Sequence, residues 1–471
     1  LRLYELLFSP KHNEGGIMKF DLMSFMMDQF VLMFVAVVTG MILGKLLKIG
    51  TSGTLFTGLG MGWAVRKMAV ETVAAGDVAG HVKAAQKLLK ISVVDKMFFL
   101  LFLILFVAAV GLLAADKIGV IIKKYGAKFI ILGFIITLLG AATTYGLTLM
   151  SKNASPYEVS GVYTGALTSS PGLAAAIETA REHARGWAEE YNELDDHDKG
   201  RILNILGEEG VTLENTTSLT PAQVDEFVVK AEAGVGVGHA IGYPFGVIIV
   251  IIAMRFFPLI FRLNVDEEYK KFNEEMAAAE AAGGVKEIET VTFDLTAFIL
   301  ACAVGYFIGK IKIFLGPLGY FGLGSTGGVL IAALVFGYIG KVGMFHFRMD
   351  KKILAAIREV GLALFLAIVG LRYGFAVIDS LTGSGLFLAF VSLMVGVVAM
   401  TIGFIVGKYF MGINWIMLSG AICGGMTSTP GLGVAIDAVG NDDPAAGYGA
   451  TYPFALFGMV LFTIILHKLP M

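Results

Sequence analysis

The chain reads as an all-α, polytopic membrane protein built from two homologous, inverted repeats derived from one ancestral unit, each of about five transmembrane helices plus a broken or re-entrant helix. Three observations carry that reading. Of the 471 residues, 56% are hydrophobic and 16% charged, against roughly 25% charged in a soluble domain, and the mean hydropathy is +0.77. Apolar segments near 20 residues recur, the length a helix needs to cross a bilayer. The third observation is a duplication: Gly161-Val-Tyr-Thr-Gly-Ala-Leu-Thr-Ser-Ser-Pro-Gly-Leu-Ala-Ala-Ala-Ile-Glu178 returns as Gly420-Ala-Ile-Cys-Gly-Gly-Met-Thr-Ser-Thr-Pro-Gly-Leu-Gly-Val-Ala-Ile-Asp437.

In the first half, spans are expected at 26–45, 51–66, 97–115, 129–150 and 238–262, with the interrupted segment at 156–180. In the second they fall at 294–312, 324–341, 354–373, 384–408 and 446–466, with the interruption at 413–437. The series match element for element. Gly50-Thr-Ser-Gly53 pairs with Gly324-Ser-Thr-Gly327, and Tyr243-Pro-Phe245 with Tyr452-Pro-Phe454. Phe106 and Phe365 are 259 residues apart, as are Glu178 and Asp437. Shared apolar composition would not hold one register over that length.

The domain plan follows. Residues 1–25 form an N-terminal segment with no charged start followed by an apolar run, so no signal peptide is read there. Residues 26–180 carry most of repeat 1, and 181–236 an acidic helical insertion in which Thr220-Pro-Ala-Gln starts a helix. Residues 237–262 close repeat 1, 263–293 form a charged linker, and 294–471 form repeat 2.

Topology turns on the interrupted segments. If each crosses the membrane, each half has six crossings and the repeats are parallel. If each is a re-entrant hairpin, each half has five and the repeats are inverted, the arrangement expected here, because one unit inserted both ways brings the two motifs together at the midplane. Lys341, Arg348, Lys351, Lys352 and Arg358 cluster in one loop while 373–385 has no Lys or Arg after Arg372, which places 341–358 inside the cell. The first-half loops give no consistent sign.

The interruptions are the expected substrate site. Thr168, Ser169, Ser170 and Thr427, Ser428, Thr429 offer hydroxyls; Pro171-Gly172 and Pro430-Gly431 each open a new half-helix. Amides at such a helix start, with its positive end, suit a carboxylate. Tyr243 and Tyr452 stand one residue before a proline at matching places and complete the set. His239, Arg372, Glu178 and Asp437 are weaker candidates: a satisfied structural histidine, a helix-end arginine and solvated helix-end carboxylates are the plainer readings. Cys302 and Cys423 lie in apolar runs and read as small buried hydrophobes. No catalytic or metal-ligand motif stands out, and with a net charge of −2 there is no basic surface for nucleic acid.

At these residues the chain resembles the aspartate:alanine exchanger family of bacterial and archaeal carriers. The resemblance lies in the doubled Thr/Ser-Pro-Gly-Leu segment followed by Tyr-Pro-Phe, in Gly50-Thr-Ser-Gly53 and Gly324-Ser-Thr-Gly-Gly328, and in Val360-Gly-Leu-Ala-Leu-Phe-Leu-Ala-Ile-Val-Gly-Leu371. It implies secondary transport of small carboxylates or amino acids such as aspartate, alanine or dicarboxylates, often by exchange. The expected partners are the lipid bilayer of the cell (inner or cytoplasmic) membrane and a second copy in a homodimer. No cofactor is expected; Na+ and H+ both stay open as coupling ions. Many members carry paired regulatory domains of the potassium-transport type between the halves, and the 263–293 linker is too short for them. The alternative class is a cation/proton antiporter or ion channel, which calls for an acidic residue at mid-membrane.

Overall fold

The computed structural model describes residues 21–47, 50–76, 79–115, 118–150, 155–208, 210–281, 289–314, 320–382 and 385–468; most of the N-terminal segment lies outside them. Eighteen α-helices are present among the described residues. Seven are long and apolar enough to cross a membrane.

After a short helix α1 (Leu22–Met26), repeat 1 runs α2 (Gln29–Leu46), α3 (Gly53–Ala75), amphipathic α4 (Ala79–Lys90), α5 (Lys96–Ala114) and α6 (Ile118–Thr148). The interrupted segment is α7 (Pro156–Ala166) and α8 (Ser170–Glu189), followed by α9 (Asp196–Leu206) and α10 (Pro221–Ile260). The linker holds α11 (Val265–Ala281). Repeat 2 is α12 (Leu295–Lys310), α13 (Gly324–Ile339), α14 (Lys351–Thr382), α15 (Leu386–Ile405), the interrupted α16 (Trp415–Gly425) and α17 (Thr429–Val439), and α18 (Pro444–Lys468). Two short antiparallel ribbons, 313–314 with 320–321 and 341–342 with 345–346, decorate the ends of α13.

Contact registers decide the orientation. The third helices of the repeats, α5 and α14, meet with Gly361 against Phe102 and with the Phe99 and Phe365 rings 5.1 Å apart. As one number rises the other falls, so the pair is antiparallel. The fourth helices behave alike: Gly403 meets Ile136 and Gly407 meets Leu132 across α15 and α6. By contrast α3 runs parallel to α14, with Gly58 on the Ala367 carbonyl, Gly62 on Leu371 and Arg66 over the Phe375 ring. Corresponding helices therefore point in opposite directions: the repeats are inverted.

Both interrupted segments are hairpins. α7 lies parallel to α10, Gly161 against Val235 and Gly165 against Gly242. α8 lies antiparallel to it, since Arg181 pairs with Glu232 and Arg185 with Asp225. The Tyr157 hydroxyl at the start of α7 sits 3.2 Å from His183 Nδ1 near the end of α8. In repeat 2, Gly420 of α16 packs on Pro444, the first residue of α18, and only 440–443 separate α17 from it. α17 thus returns to the side from which α16 entered. Each repeat has five helices laid across the body plus one re-entrant hairpin: the seven long apolar helices, with α3 in repeat 1 and the shorter apolar α12 and α13 in repeat 2.

The helices outrun the apolar segments that reveal them. α8 continues through 180 to Glu189, and α10 begins at Pro221, well before 238. A capping box opens α10, with Thr220 and Gln223 satisfying each other's backbone amides and Pro221 in the first turn. At 1.5 Å per residue α10 is about 60 Å long, so its first turns project beyond the bilayer. There Tyr157, Ala176, Ala180, Ala184, Phe227 and Ala231 form a small core with Ile202 and Leu206 of α9. Hydropathy reports where a helix meets lipid; backbone hydrogen bonding and alanine-rich packing carry it further.

The linker helix α11 is docked against the body. Phe272 and Met276 are buried. Glu268 binds Lys408 at 2.6 Å and accepts from the Trp415 amide at 2.8 Å. Glu275 accepts from Lys124 and from the Tyr125 hydroxyl, each at 2.6 Å.

Candidate functional site

The two hairpin tips are built alike. α7 ends with Thr168 in the left-handed region, φ +54, and α16 ends with Thr427 at φ +49. In each tip the threonine amide donates three residues back (Thr168 to Gly165, 2.8 Å; Thr427 to Gly424, 3.0 Å). The following serine amide donates five back (Ser169 to Thr164, 2.9 Å; Ser428 to Cys423, 2.8 Å). This is the Schellman ending, which glycine normally supplies. A β-branched residue there costs on the order of 1–2 kcal/mol. The same strained residue thus recurs at the same register in both repeats.

The next residue starts the return helix. Ser169 Oγ accepts from the Gly172 amide at 3.0 Å and Ser428 Oγ from the Gly431 amide at 3.2 Å. The amides following each proline, expected from sequence to hold a carboxylate, are engaged: Leu173 and Leu432 donate to the Ser169 and Ser428 carbonyls. Among the first-turn positions the caps leave the amides at 170 and 429, since Pro171 and Pro430 have none. A ligand at these helix ends meets the hydroxyls and the positive helix end rather than a row of open amides.

The tips face one another. Thr427 Oγ1 donates to the Leu167 carbonyl at 2.7 Å, and Thr168 Oγ1 donates to the Met426 carbonyl at 3.4 Å. The contact is reciprocal, residue for residue, as a two-fold axis requires. Around it lies a cavity lined by Thr168, Ser169, Thr427, Thr429, Pro430, Tyr243 and Tyr452, together with Phe99, Leu103, Thr326 and Phe365. Its volume is about 30 Å³, room for about two waters.

The tyrosines frame this space differently. Tyr452 lines the space beside Thr326 and donates to the Leu323 carbonyl at 3.3 Å. Tyr448 lies stacked on it at 5.4 Å, its hydroxyl 3.1 Å from Thr429 Oγ1. Tyr243 instead packs 5.2 Å from the Tyr373 ring. Pro244 and Pro453 sit within α10 and α18 directly after these tyrosines, where each removes a helical hydrogen bond and loosens the turn beside the cavity.

Of the residues expected from sequence, Thr168, Ser169, Thr427, Thr429, Pro430, Tyr243 and Tyr452 meet at the cavity. Ser428 and Gly431 are buried just behind it, and Gly172 is buried at the start of α8. For Ser170 and Pro171 only the backbone position, at that same start, is described. A side chain at Gly431 would strike Val250 at 2.2 Å and one at Gly172 would meet Met459 at 2.8 Å, so both glycines serve helix packing. His239 is held by Thr164, 3.0 Å from its Nδ1. Arg372 donates to the carbonyls of Ile91 and Val94 and so braces the turn before α5. Glu178 pairs with Arg181 midway along α8. Asp437, far along α17, lies near Gly50 and Arg255.

Sequence reasoning passed over Phe99, Leu103, Thr326 and Phe365. Thr326 and Phe365 sit in the matched Gly-Ser-Thr-Gly and Phe-Leu-Ala-Ile-Val-Gly-Leu segments, so the duplication already flagged their surroundings. Phe99 and Leu103 belong to an unbroken apolar run that carries no such signal.

Comparison with known sequences agrees with this architecture. The profile of the aspartate–alanine exchanger group, described as a predicted permease membrane region, matches residues 31–259 and 297–468. An uncharacterized transporter of Bacteroides thetaiotaomicron is 36% identical over 175 residues, 37% of this chain and 33% of that protein. Uncharacterized transporters of Rhodopirellula baltica and Geobacter sulfurreducens are 34% and 32% identical over 171 and 194 residues, 36% and 41% of this chain and 31% and 36% of theirs. The matched stretches thus span about a third of the length of these curated relatives. No solved structure matches. With both repeats inside the matched regions, the chain belongs to the aspartate–alanine exchanger family of permease membrane regions.

Proposed function

We propose that the protein is a secondary transporter that exchanges small carboxylates or amino acids, such as aspartate, alanine or dicarboxylates, by alternating access. The observation that carries this reading is the meeting of two re-entrant tips at one polar cavity, each with a helix start aimed at it. Irregular backbone within a membrane is tolerated where it lines a cavity, and half-helix N-termini at a repeat interface are an anion-binding arrangement. The names of the relatives support the transporter class. Each helix end is worth up to about 2 kcal/mol to a carboxylate in a partly buried site. With several hydroxyls this suits micromolar-to-millimolar binding, about −4 to −8 kcal/mol, weak enough to release cargo.

The hairpins with α10 and α18 form the unit that carries substrate, and the remaining helices a scaffold against which that unit slides. The cavity admits only water-sized groups as it stands, so loading requires the tips and scaffold to part. The loop 341–358 faces the cytoplasm of the cell membrane and the 190–220 region the opposite side. In support, Arg255 near the end of α10 lies beside Gly50 and Asp437, while α9 packs at the other end of α10. A cation/proton antiporter is less well supported, because none of the residues lining the cavity is a carboxylate. The test is counterflow in proteoliposomes with labelled aspartate, alanine, glutamate and succinate. Exchange of at least one is expected; movement of none, or of neutral and cationic solutes only, defeats the reading.

A further inference from the structure

The two-fold relation is complete at the tips and incomplete around the cavity. Residues 102 and 361 are repeat mates 259 positions apart, and they touch: a side chain at Gly361 would meet the Phe102 carbonyl at 3.1 Å. The axis therefore passes between α5 and α14 at this point as well as between the tips. Away from it only one mate of each scaffold pair lines the cavity. Phe99 and Leu103 of α5 reach it, but their mates Arg358 and Leu362 on α14 do not, whereas Phe365 of α14 reaches it and its mate Phe106 does not. Thr326 lines it together with Tyr452, but its mate Ser52 does not, and the Ser52 hydroxyl is buried with no partner.

Arg358 is meanwhile held elsewhere. It forms an ion pair with Asp442, just past the second hairpin, with 18% and 23% of the two side chains exposed. Beside it Asp437 lies near Gly50 and Arg255. The tail of hairpin 2 is thus clamped to the scaffold at one face by the Arg358 pair. Among the described residues the first hairpin shows no matching clamp: Glu178, mate of Asp437, pairs with Arg181 of its own helix and is 46% exposed.

Inverted repeats that alternate access exchange surroundings between the two facing states. We propose that in the oppositely facing state Arg358 leaves Asp442, takes the place beside the cavity that Phe99 holds here, and meets a carboxylate of the substrate. Ser52 then takes the place of Thr326 and its hydroxyl finds the Tyr243 phenol. One face of the cycle offers helix ends and hydroxyls alone; the other adds a guanidinium, which binds a carboxylate through paired, charge-assisted hydrogen bonds. Arg358 thereby favours substrates with a carboxylate over neutral ones. The proposal rests on the carboxylate-exchange reading, and its tests separate the two.

Arg358→Gln, Arg358→Lys and Asp442→Asn are compared with the unaltered protein in proteoliposome exchange of each solute that it moves. Arg358→Gln is expected to lower exchange about tenfold or more, as loss of a charged hydrogen-bond partner does, with Arg358→Lys recovering part of it. Asp442→Asn is expected to lose clearly less exchange than Arg358→Gln, since it removes only the resting counter-ion of a largely buried pair. Equal losses in Arg358→Gln and Asp442→Asn, or recovery in the charge-swapped pair Arg358→Asp with Asp442→Arg, would make the pair purely structural and overturn the proposal. The second measurement needs no substrate. With Cys302 and Cys423 replaced by alanine, Leu103→Cys and its mate Leu362→Cys, the latter position only 2% exposed in this state, are labelled with a membrane-impermeant maleimide from each side of sealed vesicles. Labelling from opposite sides is expected; labelling of both from one side, or none at 362, overturns it. If the unaltered protein exchanges no carboxylate, the functional reading fails by itself, and the labelling alone decides whether the face of α14 that carries Arg358 opens to the cavity.

Discussion

At the scale of single residues, the tips rest on threonine and serine hydroxyls with separable duties. Thr427→Val keeps the β-branched shape and the strained φ while deleting the 2.7 Å bond to the Leu167 carbonyl. A buried carbonyl left short of a donor costs about 1–3 kcal/mol, so a lower thermal midpoint in detergent is expected. Thr168→Val, which gives up a bond of only 3.4 Å, is expected to cost less, and the reverse order would contradict the geometry. Ser169→Ala and Ser428→Ala each remove a helix cap worth about 1 kcal/mol and free an amide inside the tip. Both are expected to lose stability and to change KM for exchange more than a mere destabilisation does. Bulk at Gly172 or Gly431 is a poorer probe. Its first contacts are Met459 and Val250, so those variants report on hairpin packing before they report on substrate.

At the scale of elements, the linker helix α11 ties together the start of α6, the end of α15 and the start of hairpin 2 through Glu275 and Glu268. Burial alone would raise the Glu275 pKa, but hydrogen bonds from Lys124 and Tyr125 outweigh it and hold the carboxylate below its ordinary value of 4.5. A carboxylate with a depressed folded pKa stabilises fully above the unfolded value and loses that contribution as pH falls through the folded one. Docking of α11 should therefore hold at neutral pH and weaken only below about pH 4.5. Protease sensitivity of the 263–293 segment against pH would show it, with a rise at acid pH. Glu275→Gln should give the sensitive form already at pH 7. An unchanged profile in that variant would remove Glu275 from the docking.

At the scale of the whole molecule, the antiparallel pairing of α5 with α14 and of α6 with α15 makes a firm statement about sidedness. The 190–220 region and the 341–350 turn stand at opposite ends of the crossing helices. Single cysteines at Lys199 and Met344, the latter 78% exposed, should react with an impermeant reagent from opposite sides of sealed vesicles. Lys199→Cys should react from outside the cell and Met344→Cys from the cytoplasm. Reaction of both from one side would contradict the inverted arrangement, and a swap of sides would leave it intact while reversing the insertion.

Much of this was legible before any coordinates. The duplicated Thr-Ser-Ser-Pro-Gly and Thr-Ser-Thr-Pro-Gly segments, the matched Tyr-Pro-Phe segments and the 259-residue register announced two repeats, because apolar periodicity and helix-breaking residues are local properties of the chain. The hairpin form of the interruptions needed tertiary contacts: Pro-Gly after a serine starts a helix whether that helix goes on across the bilayer or turns back, and only the packing of α7 and α8 against opposite directions of α10 decides. The reach of α8 and α10 beyond their apolar stretches was hidden for a related reason, since alanine and charged residues sustain a helix that hydropathy does not register. The role of Phe99 and the withdrawal of Arg358 into an ion pair lay furthest from the sequence. Repeat mates share a place in the fold but not, in any one conformation, the same surroundings, and which mate faces the cavity is settled by how the two halves lean on each other.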